Sequence, residues 1–169
     1  MTLNGLAKLT EEIGELIQVA GKKMAYADGT HPDGKGDLNS RMQEEMGDVI
    51  AAIKFASDKL ELDADFVAAN DEYELTTTIL NGLPQLIKGL GSLSYSASNM
   101  MCIVHSDGQG VTKNAIQKVT ESTTLQHEMG LSLASIKFVV KSLNLDKQAI
   151  AIRSARKIWQ YEAWDRQKP

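Results

Sequence analysis

An all-α helical bundle is the fold class this chain predicts. Its long stretches are rich in Ala, Leu, Glu, Lys and Met, all good helix formers. No segment sustains an alternation of apolar and polar residues, so no strand is expected. The second half of the chain also repeats the first, and a repeated pair of helices packs most simply as a bundle with pseudo-two-fold symmetry.

The first helix is expected from about Leu3 to Ala27, with Leu9, Ile13, Leu16, Ile17 and Ala20 on one arc. A loop dense in breakers follows, Asp28-Gly29-Thr30-His31-Pro32-Asp33-Gly34-Lys35-Gly36-Asp37. Asn39 or Ser40 is the expected cap of the second helix, which runs to about Leu60 with Met46, Val49, Ile50 and Ile53 as its apolar stripe. Asp63 reads as the cap of a shorter third helix through Phe66, Val67 and Tyr73.

Residues 3–24 match residues 80–101 at 9 of 22 positions, and residues 42–63 match 125–146 at 11 of 22. The conserved pairs of the second match include Glu45/Glu128, Gly47/Gly130 and Phe55/Phe138. The pattern is that of a tandem duplication, with one repeat over 1–78 and another over 79–169, forming a single domain around a four-helix core. A chain of 169 residues is long enough for such a core.

The copies differ where they carry acids. Glu11, Glu12 and Glu15 share one arc of the first helix, and Glu45 and Asp48 share a face of the second. In the second copy Lys88, Gly89 and Ser92 replace the three glutamates, and Leu131 replaces Asp48. A merely solvated face has no reason to vanish so selectively. Packing the two apolar stripes together draws the acids towards one seam, where like charges repel and a cation is called for. Carboxylate oxygens suit Mg²⁺ or Mn²⁺. The first copy is thus the working half and the second a structural half.

Glu11-Glu12-x-x-Glu15 followed by Glu45-x-x-Asp48 resembles the signature of the MazG-like, all-α nucleoside triphosphate pyrophosphohydrolases, a superfamily that includes the dimeric dUTPases. Phe66-Val67-Ala68-Ala69-Asn70 is similar to that family's Ala-Asn segment, although Glu72 and Glu74 stand where the family usually continues with Lys and Arg. The resemblance implies hydrolysis of an NTP or dNTP to its monophosphate and pyrophosphate. It implies two or more Mg²⁺ ions (or Mn²⁺) on Glu12, Glu15, Glu45 and Asp48, with Glu11 completing the shell and Glu12 or Glu15 as general base. dUTP, dCTP and dGTP are the candidate substrates.

A triphosphate needs cations from the protein. Lys22, Lys23 and Arg41 are candidates in the first copy, with Asn70, which the resemblance adds. Arg153, Arg156 and Lys157 are candidates in the second copy, at i, i+3 and i+4 on one helix face. Arg153 aligns with Asn70 in the repeat, so pseudo-symmetry can bring that face to the acids. His31, Asp33 and Lys35 in the loop are placed to touch base or sugar, while Lys54 is read as structural. Gly29-x-x-x-x-Gly34-Lys35 is not a P-loop, because Gly36 stands where Ser or Thr is required and no strand precedes it.

Cys102, after Met100 and Met101, is read as core, and Trp159, Tyr161 and Trp164 as anchors of the last helix to the bundle or to a second chain. His105 and His127 show no metal-ligand spacing. A net charge of −4 argues against nucleic-acid binding, although residues 147–169 carry a net of +4. No run approaches a membrane span and the first residues do not resemble a signal peptide. With a single cysteine, a cytoplasmic location is expected. A homodimer or tetramer is the expected assembly. The rival readings are a non-catalytic helical regulator with a structural metal, or a hydrolase of another phosphoanhydride.

Overall fold

The computed structural model describes residues 3–26, 33–65, 67, 82–108 and 115–167. Among these the regular structure is helical and no strand is formed. The helices are α1 (Asn4–Ala25), α2 (Leu38–Leu60), α3 (Leu83–Gly108), α4 (Ala115–Ser142) and α5 (Lys147–Arg166). His31, Asn70, Phe66 and Tyr73 lie outside the described residues, so the third helix of the first copy is represented only by its start at Asp63.

α1 buries Leu6, Leu9, Ile13, Leu16, Val19 and Ala20, an i, i+3, i+4 stripe. That stripe packs on α2, and α3 packs on α4 in the same way. The two pairs meet chiefly through α1 and α3, while α5 lies against α2. α2 is therefore covered on more than one side. It buries small residues alongside its stripe, Gly47, Ala51, Ala52 and Ala56 among them. The cap of α2 is Asp37, whose carboxylate accepts the Ser40 N–H at 2.7 Å. The sequence expectation of Asn39 or Ser40 is corrected by two or three residues: both are inside the helix, and Ser40 donates to the cap.

The corners that end α2 and α4 share their bonding. Glu61 and Asn144 both take the left-handed conformation, at φ 53° and 50°. Leu62 donates to the Ser57 carbonyl as Leu145 donates to that of Val140. The next residues cross over: the Asp63 N–H donates to Gln126 Oε1 at 3.0 Å, and the Asp146 N–H to Gln43 Oε1 at 2.6 Å. Gln43 and Gln126 are paired positions of the repeat, so each copy holds the corner of the other.

Asp146 then caps α5 by accepting from the Gln148 and Ala149 N–H groups. Gln43, Gly47, Phe55 and Lys59 of α2 meet Asp146, Ile150 and Arg153, Tyr161, and Asp165 in that order, so α5 runs parallel to α2. The approach is closest at Gly47, where an added Cβ would stand 2.8 Å from Arg153 Cβ and 2.9 Å from the Ile150 carbonyl oxygen. Gly47→Ala is accordingly expected to push α5 outward and to cost about 1–3 kcal/mol. Urea unfolding of the variant checks this, and an unchanged midpoint would show that the two helices separate freely.

One side-chain placement differs from expectation, and another follows only one of its two alternatives. Cys102 is exposed, not core. Met100, Ile103 and Val104 take the inward arc of α3, and Cys102 falls on the outer one. Trp159 is 66% exposed and anchors nothing inside the bundle, whereas Tyr161 is buried and Trp164 packs on the core beside Lys8.

Candidate metal centre

α1 supplies Glu12 and Glu15 one turn apart, and α2 supplies Glu45. One carboxylate oxygen of each lies within 4.8 Å of the others, close enough to share an ion. Glu12 and Asp48 are each only 1% exposed. Burial on that scale is rare for acids unless they are paired. The partners come from α5, more than a hundred residues away in sequence.

Arg153 holds Asp48 as a fork, Nε on Oδ1 and one terminal nitrogen on Oδ2, each at 2.6 Å. Lys157 bridges, its Nζ 3.0 Å from Asp48 Oδ2 and 3.2 Å from Glu12 Oε1. One turn further on, the Tyr161 hydroxyl donates to Glu12 Oε1 at 2.6 Å. Residues 153, 157 and 161 recur every four positions, so one face of α5 lies over the acids. Phe55 holds the Tyr161 ring in place, with centroids 5.3 Å apart.

Charge in the site does not balance. Four carboxylates (Glu12, Glu15, Glu45, Asp48) face two cations, so full ionisation leaves two negative charges over. Two buried oxygens, Glu12 Oε2 and Glu45 Oε2, also lack any hydrogen-bond partner. Buried polar atoms are seldom left so. A divalent cation answers both deficits: oxygen donors in a pocket with two surplus charges are what Mg²⁺ or Mn²⁺ takes. Glu12, Glu15 and Glu45 fit such an ion.

The same imbalance sets the proton affinities. Burial, then the charges of Glu15, Asp48 and Glu12, push Glu45 up to about 7. Burial and the adjacent Glu12 charge also raise Glu15 above its ordinary 4.5. The bond to Asp48 holds the Arg153 guanidinium above its usual range. Burial works against the Lys157 ammonium, yet the contacts to Asp48 and Glu12 outweigh it and raise its pKa. Burial, then the bond to Glu12, keeps the Tyr161 phenol protonated as a donor.

A pH dependence follows. Between 4.5 and about 7 the folded chain keeps a proton on Glu45 that the unfolded chain has released. Stability without divalent metal therefore falls as pH rises through that window, by about 1–2 kcal/mol after solvent screening of a part-exposed group. Glu45→Gln is expected to flatten the profile. Thermal melts from pH 4.5 to 8 in EDTA check this, and a wild-type stability rising with pH would contradict it.

The other sequence candidates divide into two groups. Lys22 and Arg41 converge on Asp33, at 2.8 Å and 3.2 Å, where α1 ends and α2 begins. Arg41 is one turn from Glu45 along α2. Glu11 is exposed and pairs with Lys8 at 2.5 Å, and it is not one of the three grouped glutamates, although its charge helps to raise Glu15. Lys35 is exposed, with its backbone N–H on Asp33. Arg156 is exposed and lines a shallow recess with Ser40 and Glu44, outside the Asp48 fork. His105 and His127 are exposed.

Sequence reasoning assigns Tyr161 to packing, with base stacking as the lesser alternative, and misses its hydrogen bond to Glu12. Its spacing of four from Lys157 and eight from Arg153 was the available signal. No family model matches the chain, and neither a curated protein nor a solved structure matches it.

Proposed function

We propose that the chain is a metal-dependent pyrophosphohydrolase of nucleoside triphosphates, of the MazG-like kind its acidic motifs resemble. One observation carries the reading. Three carboxylates from two helices converge with two orphaned oxygens among them, and a divalent cation would complete that arrangement.

Glu12, Glu15 and Glu45 would hold Mg²⁺ or Mn²⁺, which when bound supplies an acidified water and charge neutralisation for the phosphates. Further ions would arrive with the nucleotide's own phosphates. In the reaction a water oxygen attacks the α-phosphorus and the bond to the α–β bridging oxygen breaks. Pyrophosphate leaves, and the water's proton passes to a carboxylate. Glu15 suits that last role, since it is exposed and its proton affinity is raised. Glu12 Oε1, by contrast, is already engaged by Tyr161.

Cations flank the acids at both sides, and their distribution supports a polyanionic substrate. Lys22 and Arg41, paired with Asp33 where α1 ends and α2 begins, would receive the β- and γ-phosphates. Arg153 and Lys157 hold Asp48 in the free protein and would share their charge with a bound phosphate. Arg153→Ala should then raise KM as well as loosen α5.

Pyrophosphate release from a panel of dNTPs and NTPs, with Mg²⁺, Mn²⁺ or EDTA, tests the proposal. Metal-dependent release from at least one nucleotide is expected. Silence across the panel with metal bound would favour the regulator or another phosphoanhydride.

A further inference from the structure

A second concavity lies away from the acids, where α2, α4 and α5 diverge. Its volume is about 690 Å³, within the roughly 300–1,000 Å³ range of small-molecule sites. Its walls are apolar: Ile50 from α2, Ile136 and Val140 from α4, Ile150 and Ile158 from α5. Ala151 and Ala155, one turn apart on α5, keep the space between these walls open.

The charged residues bordering it are all of one sign. Among the described residues Lys54, Lys137, Lys141 and Lys147 line it and no acid does, in a chain whose net charge is −4. These cations are unevenly placed along the groove. Lys141 ends α4 and Lys147 begins α5, so both stand at the corner that joins the two helices. From that corner the apolar wall of α5 continues to Ile158, a run of about 16 Å for eleven residues at helical rise. One end is cationic and the length is oily.

We propose that this groove binds a single-chain anionic amphiphile, a long-chain alkyl carboxylate, with its head at Lys141 and Lys147 and its tail along α5 towards Ile158. The dimensions match, since a saturated chain of about a dozen carbons spans about the length of that wall. Burying that tail removes apolar surface of both partners from water. Two copies set groove to groove would bring these lysines against each other, which disfavours that pairing. The site is separate from the acidic centre and stands whatever reaction occurs there.

Isothermal titration of the full chain with sodium dodecanoate below micelle formation, in EDTA, tests this. Saturable binding in the micromolar range is expected, with no binding of dodecyltrimethylammonium. Ala155→Trp, which fills the groove, and Lys141→Glu/Lys147→Glu, which reverses its cationic end, should each weaken binding at least about tenfold. Circular dichroism establishes that both variants fold. Equal binding of the cationic amphiphile, indifference to both variants, or no binding at all would overturn the proposal. So would adsorption to anionic vesicles without binding of free dodecanoate, which would make the groove a membrane contact.

Discussion

Glu15→Gln is expected to reduce metal-dependent pyrophosphate release by at least about a hundredfold while leaving the fold intact. The side chain is exposed, so the substitution opens no cavity. It removes one of the three grouped carboxylates and, on the proposed reaction, the group that would take the water's proton. Without metal the variant should melt no lower than wild type, and somewhat higher where repulsion from Glu12 and Glu45 is relieved. Mg²⁺ should raise the melting temperature of wild type and raise that of the variant much less. Steady-state kinetics and melts with and without Mg²⁺ read both effects. Near-wild-type turnover would remove Glu15 from the site.

The second large effect concerns α5. Arg153→Ala/Lys157→Ala removes both cations from Asp48, which is 1% exposed, and leaves it and Glu12 with their charge unopposed. Stripping a buried charge of its partners costs about 3–5 kcal/mol. Arg153→Ala alone should cost less, because its side chain is 41% exposed and Lys157 remains. Mg²⁺ should restore part of the loss in the double variant, since it returns positive charge to the same place. Denaturant unfolding with and without Mg²⁺ measures this. An unaltered midpoint would mean that α5 does not hold the acids in solution.

Much of this was legible in local spacing. Leu6, Leu9, Ile13 and Leu16 declare the inner face of α1 by period alone. Glu12 and Glu15 are found from turn spacing and from their absence in the second copy, and Glu45 from its spacing to Asp48, which the second copy replaces by Leu131. Even the role of α5 was foreshadowed, because Arg153 stands opposite Asn70 in the repeat and its face meets the acids.

What escaped depends on long-range geometry. Nothing local says that Asp48 is buried under a fork from a residue 105 positions away, or that the Tyr161 hydroxyl ends on Glu12. The close passage at Gly47 is likewise a property of two helices, not one. Cys102 was misplaced because its apolar neighbours suggested core, whereas the helical period turns it outward. Asn39 and Ser40 competed with Asp37 as caps because all three residue types cap well.

Hydrolysis in ¹⁸O-labelled water tests the central claim most directly. With Mg²⁺ and the best nucleotide of the panel, the label should appear in the nucleoside monophosphate and not in pyrophosphate, read by the isotope shift in ³¹P NMR. That result places the attack on the α-phosphorus. Label in pyrophosphate, or in inorganic phosphate released beside a diphosphate, would contradict it.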